Sequence, residues 1–169
     1  MKYFLTVLLL GMCFTSFSQT YFVVRHAEKQ AGQPNGTSMS GNPPLSEAGK
    51  QRAEALKDLL QSEKIGYVFS TNTLRTLSTA EPVKNYFKLQ TKIYSAELDD
   101  TFIAQLLSLH ENTLIVGHSN TVDDIVNKLC GSVKIPGNLL DSAYDDLFVI
   151  TKKGKTITFE ARKYGNPSQ

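Results

Sequence analysis

The sequence of 169 residues has no tryptophan and only two cysteines, Cys13 and Cys130. Cys13 lies in an apolar leading segment, so Cys130 alone remains for the folded domain, and no internal disulfide can form there. Basic and acidic residues nearly balance, with a formal net charge of +2. This balance gives no indication of a nucleic acid or a membrane surface as a partner. The sequence also lacks the His-x-x-x-His and paired-cysteine spacings that are typical of metal sites.

The only long apolar run of the chain lies at its front. Lys2 gives a short basic start, the run Tyr3–Phe14 follows, and Ser16 and Ser18 then stand at the two positions that signal peptidase reads. This pattern predicts a secretory signal over residues 1–18, with cleavage after Ser18.

The export prediction defines one domain over residues 19–169, periplasmic or secreted and without stable membrane association after cleavage. Three alternatives are weaker. An uncleaved membrane anchor is disfavoured because the apolar run is short for a bilayer. A lipoprotein anchor at Cys13 is disfavoured because the bulky Met12 precedes it, where a small residue is expected. The third alternative is that the apolar run forms a first buried strand.

Two predicted strands each end on a histidine. The run Tyr21–Val24 is β-branched and aromatic and leads into Arg25 and His26, and the run Thr113–Val116 leads in the same way into His118. Ligands of open α/β sheets bind beyond the carboxyl ends of the strands. Both imidazoles are therefore predicted to face one crevice.

A third predicted strand, Tyr67–Phe69, leads into a helix that carries Arg75 in its first turns. If the three strands are parallel, two arginines and two histidines converge on one pocket. Arginines offer forked donors to phosphoryl oxygens, and a neutral imidazole can attack phosphorus. The helix Asn120–Leu129 is expected to add its N-terminal amides beside His118.

The chain resembles the histidine phosphatase superfamily, which includes phosphoglycerate mutases, acid phosphatases and small bacterial phosphohistidine phosphatases. Four motifs carry the resemblance: Arg25-His26-Ala27 followed by Glu28, Pro44-Leu45-Ser46-Glu47-Ala48-Gly49, Ser70 with Arg75, Thr79 and Ala80, and His118. Ala27 stands where the family more often has glycine. The resemblance implies a small phosphohistidine-phosphatase-like member with an α/β fold, a phosphoglycerate mutase-like three-layer α/β/α sandwich around a mainly parallel sheet.

The predicted function is metal-independent hydrolysis of a phosphomonoester or phosphoramidate, without a cofactor, on a small phosphorylated substrate or a phosphoprotein. His26 attacks phosphorus and forms a phosphohistidine intermediate, while Arg25, Arg75 and His118 bind the phosphate. His26 must be neutral, whereas His118 acts best as a proton donor.

Three alternatives to a metal-independent enzyme are weighed. A non-catalytic phosphate-binding or partner-binding module would keep the pocket without turnover, and a structural envelope protein would bind no phosphate. A metal site built from His26, His118 and a carboxylate is disfavoured because adjacent arginines repel a cation.

The acid that protonates the leaving group is the least defined part of the predicted site. Larger family members carry a glutamate in the loop after the third strand. In this sequence Lys92–Ser95 resembles that strand, and Glu97 follows it. Asp99 and Asp100 are the other candidates. Both precede the amphipathic stretch Thr101–Leu107, so they are equally explained as helix-capping carboxylates.

The remaining pattern predicts alternating helices and strands with a terminal hairpin. Ser46 is expected to cap a helix that runs to about Glu63, with Gly49 at a close approach to another element. The predicted core positions of this helix are Ala48, Ala53, Leu56, Leu59 and Leu60, and the predicted water-facing ones are Lys50, Arg52, Glu54 and Lys57. The hairpin is predicted from the two β-rich runs Asp146–Thr151 and Thr156–Ala161.

Overall fold

The computed structural model describes residues 18–30 and 41–168, which fold around one mixed sheet with the strand order β3-β2-β4-β1-β5-β6. The strands are β1 Ser18–Arg25, β2 Ile65–Ser70, β3 Thr91–Ile93, β4 Asn112–Gly117, β5 Asp146–Lys153 and β6 Thr156–Lys163. The helices are α1 Glu47–Leu60, α2 Leu74–Tyr86, α3 Asp100–Ser108 and α4 Ser119–Cys130.

The central strands are buried on both faces, which explains their continuous apolar runs. On β1, Tyr21 and Val23 point into a core that contains side chains of α3 and α4. The alternating residues Phe22 and Val24 point into a second core with side chains of α1 and α2. The sheet therefore lies between two helical layers, and the predicted three-layer α/β/α sandwich is confirmed.

The sheet is parallel in one half and antiparallel in the other. β3 pairs with β2, β2 with β4 and β4 with β1, all in parallel. β5 pairs antiparallel with β1, and β6 pairs antiparallel with β5 as the predicted terminal hairpin. The three parallel strands β1, β4 and β2 consequently end at the same edge of the sheet.

The prediction for α1 is partly wrong. The side chain of Ser46 accepts a hydrogen bond from the Gly49 backbone N–H as predicted, but the helix ends at Leu60 rather than near Glu63. Ala48 is exposed and Leu59 is 41% exposed, so neither belongs to the core.

Arg52 was predicted to face water and instead lies buried. Its Nε and Nη2 donate to the carboxylate of Glu28 at 2.6 to 2.9 Å, and its Nη1 donates to the carbonyl of Tyr164 at 2.8 Å. A carboxylate far away in the sequence therefore overrides the helical pattern. The predicted close approach at Gly49 is confirmed, because a β-carbon there would collide with the Glu28 carbonyl oxygen.

The predicted signal segment lies outside the described residues except for Ser18, the first residue of β1. Gln19, which would begin the chain after cleavage, is 4% exposed and accepts a hydrogen bond from the Tyr21 hydroxyl at 2.8 Å. Within residues 18–30 and 41–168, no helix is long and apolar enough to cross a bilayer. Cys130 is a free, half-buried thiol at the end of α4.

Candidate active site

The predicted site residues meet at the carboxyl edge of the parallel strands. β1 ends at Arg25 and continues into His26, whose backbone N–H donates to the carbonyl of Gly117 at 2.9 Å. β4 ends at Gly117, and His118 follows as the residue before α4. β2 ends one residue before Thr71, and α2 then brings Arg75 to the same edge.

The two imidazoles face one another, with ring centroids 5.5 Å apart and an interplanar angle of 66°. His26 is 4% exposed, and its Nδ1 lies 2.8 Å from the Ala27 carbonyl oxygen. A carbonyl can only accept, so Nδ1 carries the proton of the neutral ring. The remaining nitrogen, Nε2, then holds its lone pair and is the atom available for nucleophilic attack.

His118 has partners on both ring nitrogens. An Nη2–H of Arg75 lies 3.4 Å from its Nδ1, and its Nε2 lies 2.9 Å from Thr71 Oγ1. Because arginine only donates, Nδ1 accepts and Nε2 carries the proton towards Thr71. The backbone N–H of His118 donates to Thr121 Oγ1 at 2.8 Å, which fixes the residue at the start of α4.

Both histidines are held neutral in the free protein. Burial, with smaller contributions from Arg25, Arg75 and His118, lowers the pKa of His26 to about 3, although the bond to the Ala27 carbonyl opposes this shift. Burial and the two arginines lower the pKa of His118 to about 4. The predicted contrast in protonation is therefore absent from the free site, where an imidazolium would add to an already positive surrounding.

Arg25 is buried, and its charge is only loosely countered. Its Nη1 donates to the carbonyls of Leu140 and Asp141 at 2.8 and 3.0 Å, and its guanidinium carbon lies 4.4 Å from the ring centre of Tyr144. The carboxylate of Asp141 is 3.7 Å from Nη2 and is itself fully exposed. Among the described residues, the buried Nε has no hydrogen-bond acceptor. The arrangement leaves a buried donor facing no anion.

Arg75 lies half-buried between the second histidine and the loop before α1. Its Nη1 donates to the Gly41 carbonyl at 3.4 Å, a long bond, as is its contact with His118. Burial and the nearby Arg25 lower the pKa of Arg75, which Tyr144 partly offsets. Thr79 joins the two halves of the site, because its Oγ1 accepts from the Ala27 N–H at 2.9 Å and donates to the Arg75 carbonyl at 2.7 Å.

The three acid candidates differ in how their carboxylates are used. Asp99 caps α3, where its carboxylate accepts from Thr101 Oγ1 at 2.7 Å and from the Phe102 N–H at 2.9 Å; these bonds lower its pKa. Asp100 forms an ion pair with Lys128 at 2.7 Å. Glu97 is exposed in the loop between β3 and α3, and its backbone N–H donates to Ser95 Oγ.

Glu97 remains apart from the histidines. Within the described parts of the chain, no hydrogen bond or ion pair connects the Glu97 side chain to His26, His118, Arg25 or Arg75. Its role as the acid stays a prediction. In the same described parts, no group of three histidine, cysteine or carboxylate side chains is arranged to hold a metal ion.

Two contacts of the site were not predicted from the sequence. Thr71 orients the ring of His118, and Tyr144 lies 6.0 Å from the ring of His26 while stacking under Arg25. Thr71 has a weak signal, since it follows a predicted strand end. Tyr144 has none, because it reaches the site from the irregular segment between α4 and β5. His110, the third histidine, is exposed beyond the end of α3 and takes no part in these contacts.

The comparisons with known proteins agree with this geometry. The family model of the histidine phosphatase superfamily (branch 1) matches residues 21–101, which include Arg25, His26 and Arg75. No curated protein sequence matches the chain.

Solved structures share the fold at low identity. The protein histidine phosphatase SixA complexed with tungstate has a TM-score of 0.65 and 17% identity, over 85% of this chain and 96% of that one. Phosphoglycerate mutase from Bacillus anthracis str. Sterne has 0.60 and 16%, over 87% and 93%. Bacillus stearothermophilus YhfR has 0.61 and 16%, over 83% and 94%. These likenesses show a common fold.

Proposed function

We propose that this chain, whose residues 21–101 match the family model of the histidine phosphatase superfamily, hydrolyses a phosphomonoester or phosphoramidate through a phosphohistidine intermediate on His26. One observation carries the proposal. The proton of His26 is held on Nδ1 by the Ala27 carbonyl at 2.8 Å, so its Nε2 lone pair is free in a pocket with two arginines and a second histidine. A neutral, oriented imidazole beside an anion site is the arrangement that attack on phosphorus requires.

In the first step, the Nε2 lone pair of His26 forms a P–N bond while the bond from phosphorus to the leaving group breaks in line. Arg25 and Arg75 stabilise the negative charge on the three oxygens of the transferring group. Once substrate is bound, Nδ1 of His118 takes up a proton from solvent, and the resulting N–H donates a hydrogen bond to one of these oxygens. We assign the proton for the leaving group to Glu97, in the loop after β3.

In the second step, water attacks phosphorus and gives a proton to the Glu97 carboxylate left by the first step, the P–N bond breaks, and His26 regains its lone pair as phosphate leaves. The N-terminus of α4, directly after His118, adds its positive end to the same pocket. No metal or organic cofactor enters either step.

The substrate class follows from the leaving group. A phosphoramidate leaves through a nitrogen that protonates easily, whereas an alkyl phosphate needs an acid. Glu97 is exposed, and among the described residues no hydrogen bond or ion pair ties its side chain to the pocket. Because an acid that is not held in place helps a poor leaving group little, we propose a small phosphorylated molecule or a phosphorylated protein side chain with a good leaving group. The solved SixA structure is described as a protein histidine phosphatase, which is consistent with the phosphoramidate part of this proposal.

We also propose that residues 1–18 export the protein to the periplasm or the medium. The support is the basic, apolar and small-residue order of that segment and the fact that β1 is packed from Gln19 onward. Mass spectrometry of the secreted or periplasmic protein should give an N-terminus at Gln19. An intact Met1 on a cytoplasmic product would contradict export.

The test of the enzymatic proposal is hydrolysis of a chromogenic aryl phosphate by the purified protein in the presence of a chelator. The good leaving group removes the need for an acid. We expect turnover by the wild type, none by His26→Ala, and unchanged turnover by His110→Ala, the matched histidine control. A denaturing quench at alkaline pH, where a P–N bond is stable, should trap labelled phosphate on the wild type. Turnover that survives in His26→Ala would contradict the phosphohistidine mechanism, and phosphate binding without turnover would favour a binding module.

A further inference from the structure

Arg25 is held on two sides by a segment that the superfamily motifs do not include, residues 139–145. The carbonyls of Leu140 and Asp141 accept both hydrogen bonds of its Nη1, and the ring of Tyr144 lies under the guanidinium at 4.4 Å. These contacts occupy one edge and one face of the group. They fix its plane and direction but do not neutralise its charge.

The opposite edge of the Arg25 guanidinium remains unused. Nε is buried without an acceptor among the described residues, and Nη2 has only the exposed Asp141 carboxylate at 3.7 Å, beyond hydrogen-bond distance. In a guanidinium, Nε–H and Nη2–H form a fork that matches two oxygens of a phosphoryl group. The segment 139–145 thus holds the group by its far edge and leaves the fork available.

Tyr144 is itself anchored by the end of the chain. The backbone N–H groups of Tyr144 and Asp145 both donate to Ser168 Oγ at 3.0 Å, and the Ser168 N–H donates back to Asp145 Oδ2 at 3.3 Å. The Tyr164 N–H also donates to the Asp145 carbonyl at 2.9 Å. Residues 164–168 therefore fix the backbone that carries the Tyr144 ring beside His26.

We infer that Tyr144 is a positioning residue for substrate binding, whose ring holds the Arg25 fork in line with the Nε2 of His26. This inference rests on the proposed function, since it deepens the account of how the same pocket takes a phosphoryl group. The ring acts through its face, by a cation–π contact with the guanidinium. The hydroxyl of Tyr144 is not required.

Four variants test the inference: Tyr144→Phe, Tyr144→Leu, Arg25→Lys and the double change Tyr144→Leu with Arg25→Lys. The readouts are kcat/KM for an aryl phosphate and the dissociation constant of inorganic phosphate. A cation–π contact to a buried guanidinium contributes about 1 to 2 kcal/mol, so Tyr144→Leu should weaken phosphate binding and kcat/KM by roughly 5-fold to 30-fold. Tyr144→Phe, which keeps the ring, should stay within about twofold of the wild type.

The Arg25→Lys background separates positioning from a general structural effect. If the ring acts through the guanidinium, Tyr144→Leu should have little further effect once Arg25 is lysine. Tyr86→Leu, at a half-exposed tyrosine on α2, is the matched control for loss of an aromatic ring. Thermal unfolding without phosphate reports whether each variant folds.

Two results would overturn the inference while leaving the proposed function standing: equal losses from Tyr144→Leu in both backgrounds, or a loss in Tyr144→Phe as large as in Tyr144→Leu. If the wild type binds phosphate but does not turn over, the phosphate measurements still decide the role of Tyr144. If the wild type neither binds phosphate nor hydrolyses the substrate, the proposed function and this inference fail together.

Discussion

Arg25 and Arg52 are equally buried, each with 4% of its surface exposed, yet their surroundings have opposite consequences. Arg52 is gripped by the carboxylate of Glu28 through its Nε and Nη2, and the Coulombic attraction and hydrogen bonds of that carboxylate raise its pKa against the opposing effect of burial. Arg25 has only backbone carbonyls, an aromatic face and a loosely placed, exposed carboxylate. The charge of Arg52 holds segments of the fold together, and the charge of Arg25 is the one that we propose for binding an anion.

The comparison extends to what lies beside each arginine. Arg52, on α1, bonds to Glu28 and to Tyr164, so it connects segments that are distant in sequence. Arg25 adjoins two histidines that are held neutral by burial and by positive charge. Positive charge collected beside a single, exposed carboxylate, that of Asp141, is poorly compensated. That excess charge is what an oxyanion would relieve on binding.

The largest expected effect comes from exchanging each arginine for methionine. Arg52→Met leaves the carboxylate of Glu28, whose side chain is 22% exposed, without its partner, and should lower the free energy of unfolding by about 3 kcal/mol. Arg25→Met strands no buried carboxylate and should cost about 1 kcal/mol. Denaturant titration with and without phosphate measures both.

The response to phosphate should reverse this order. Phosphate at about 100 times its dissociation constant stabilises a binding-competent fold by about 2.7 kcal/mol. Arg52→Met should keep that stabilisation and Arg25→Met should lose most of it. Equal phosphate responses in the two variants would show that the difference between the two arginines has no bearing on anion binding.

The structure explains why the sequence predicted the position of Arg25 correctly and that of Arg52 wrongly. Arg25 and His26 follow an apolar strand, and the end of a parallel strand is a position that local pattern alone locates. Arg52 was assigned to the water-facing side of α1 by helical periodicity. Its partner Glu28 lies 24 residues earlier, and no local pattern contains that distance.

The same reasoning applies to the rest of the site. His118 and Arg75 were locatable because each follows a predicted strand closely, and the sheet order then brings them together. Tyr144 was not, because it lies in an irregular segment whose path is set by Ser168 and by Arg25 rather than by its own neighbours. Ala48 and Leu59 were misplaced by about one position of helical phase, which is within the freedom of an amphipathic pattern.

The contrast between committed and available charges also applies to carboxylates and gives a second prediction. Asp99 caps α3 and Asp100 forms an ion pair, whereas the carboxylate of Glu97 is exposed in the loop between β3 and α3. If Glu97 is the acid, Glu97→Gln should lower kcat/KM for an alkyl phosphate by about 100-fold, since general acids contribute at least that much. The rate on an aryl phosphate should change little.

Asp99→Asn is the matched control for Glu97→Gln. It also removes one negative charge, two residues away from Glu97, but from a carboxylate that caps α3. It should lower stability by no more than about 0.5 kcal/mol, because asparagine caps a helix as well as aspartate does, and it should keep the same ratio of alkyl to aryl rates as the wild type. Equal losses on both substrates in Glu97→Gln would remove Glu97 as the acid and favour a substrate with an easily protonated leaving nitrogen.

The smallest expected effect is the uptake of one proton by His118 when an anion binds. It tests whether an anion balances the excess positive charge around Arg25. The pKa values of His26 and His118, about 3 and about 4, lie below the ordinary value of 6.5, so the unfolded chain binds more protons than the fold between these limits. Stability should therefore fall as the pH falls from about 6.5. A bound dianion has the opposite effect on His118, because its negative charge raises the pKa of the imidazole and favours the protonated form.

Sulfate is the suitable probe, since it stays a dianion across this range whereas phosphate titrates. At pH 6, calorimetry in buffers of different ionisation heat should show uptake of up to about one proton per sulfate bound, and the affinity should increase as the pH is lowered from 8 to 6, because binding and protonation are linked. His118→Gln should abolish the uptake, and His110→Gln should leave it unchanged. Sulfate binding without proton uptake in the wild type would mean that the arginines alone balance the anion, so that His118 stays neutral and cannot supply a proton to the phosphoryl oxygens.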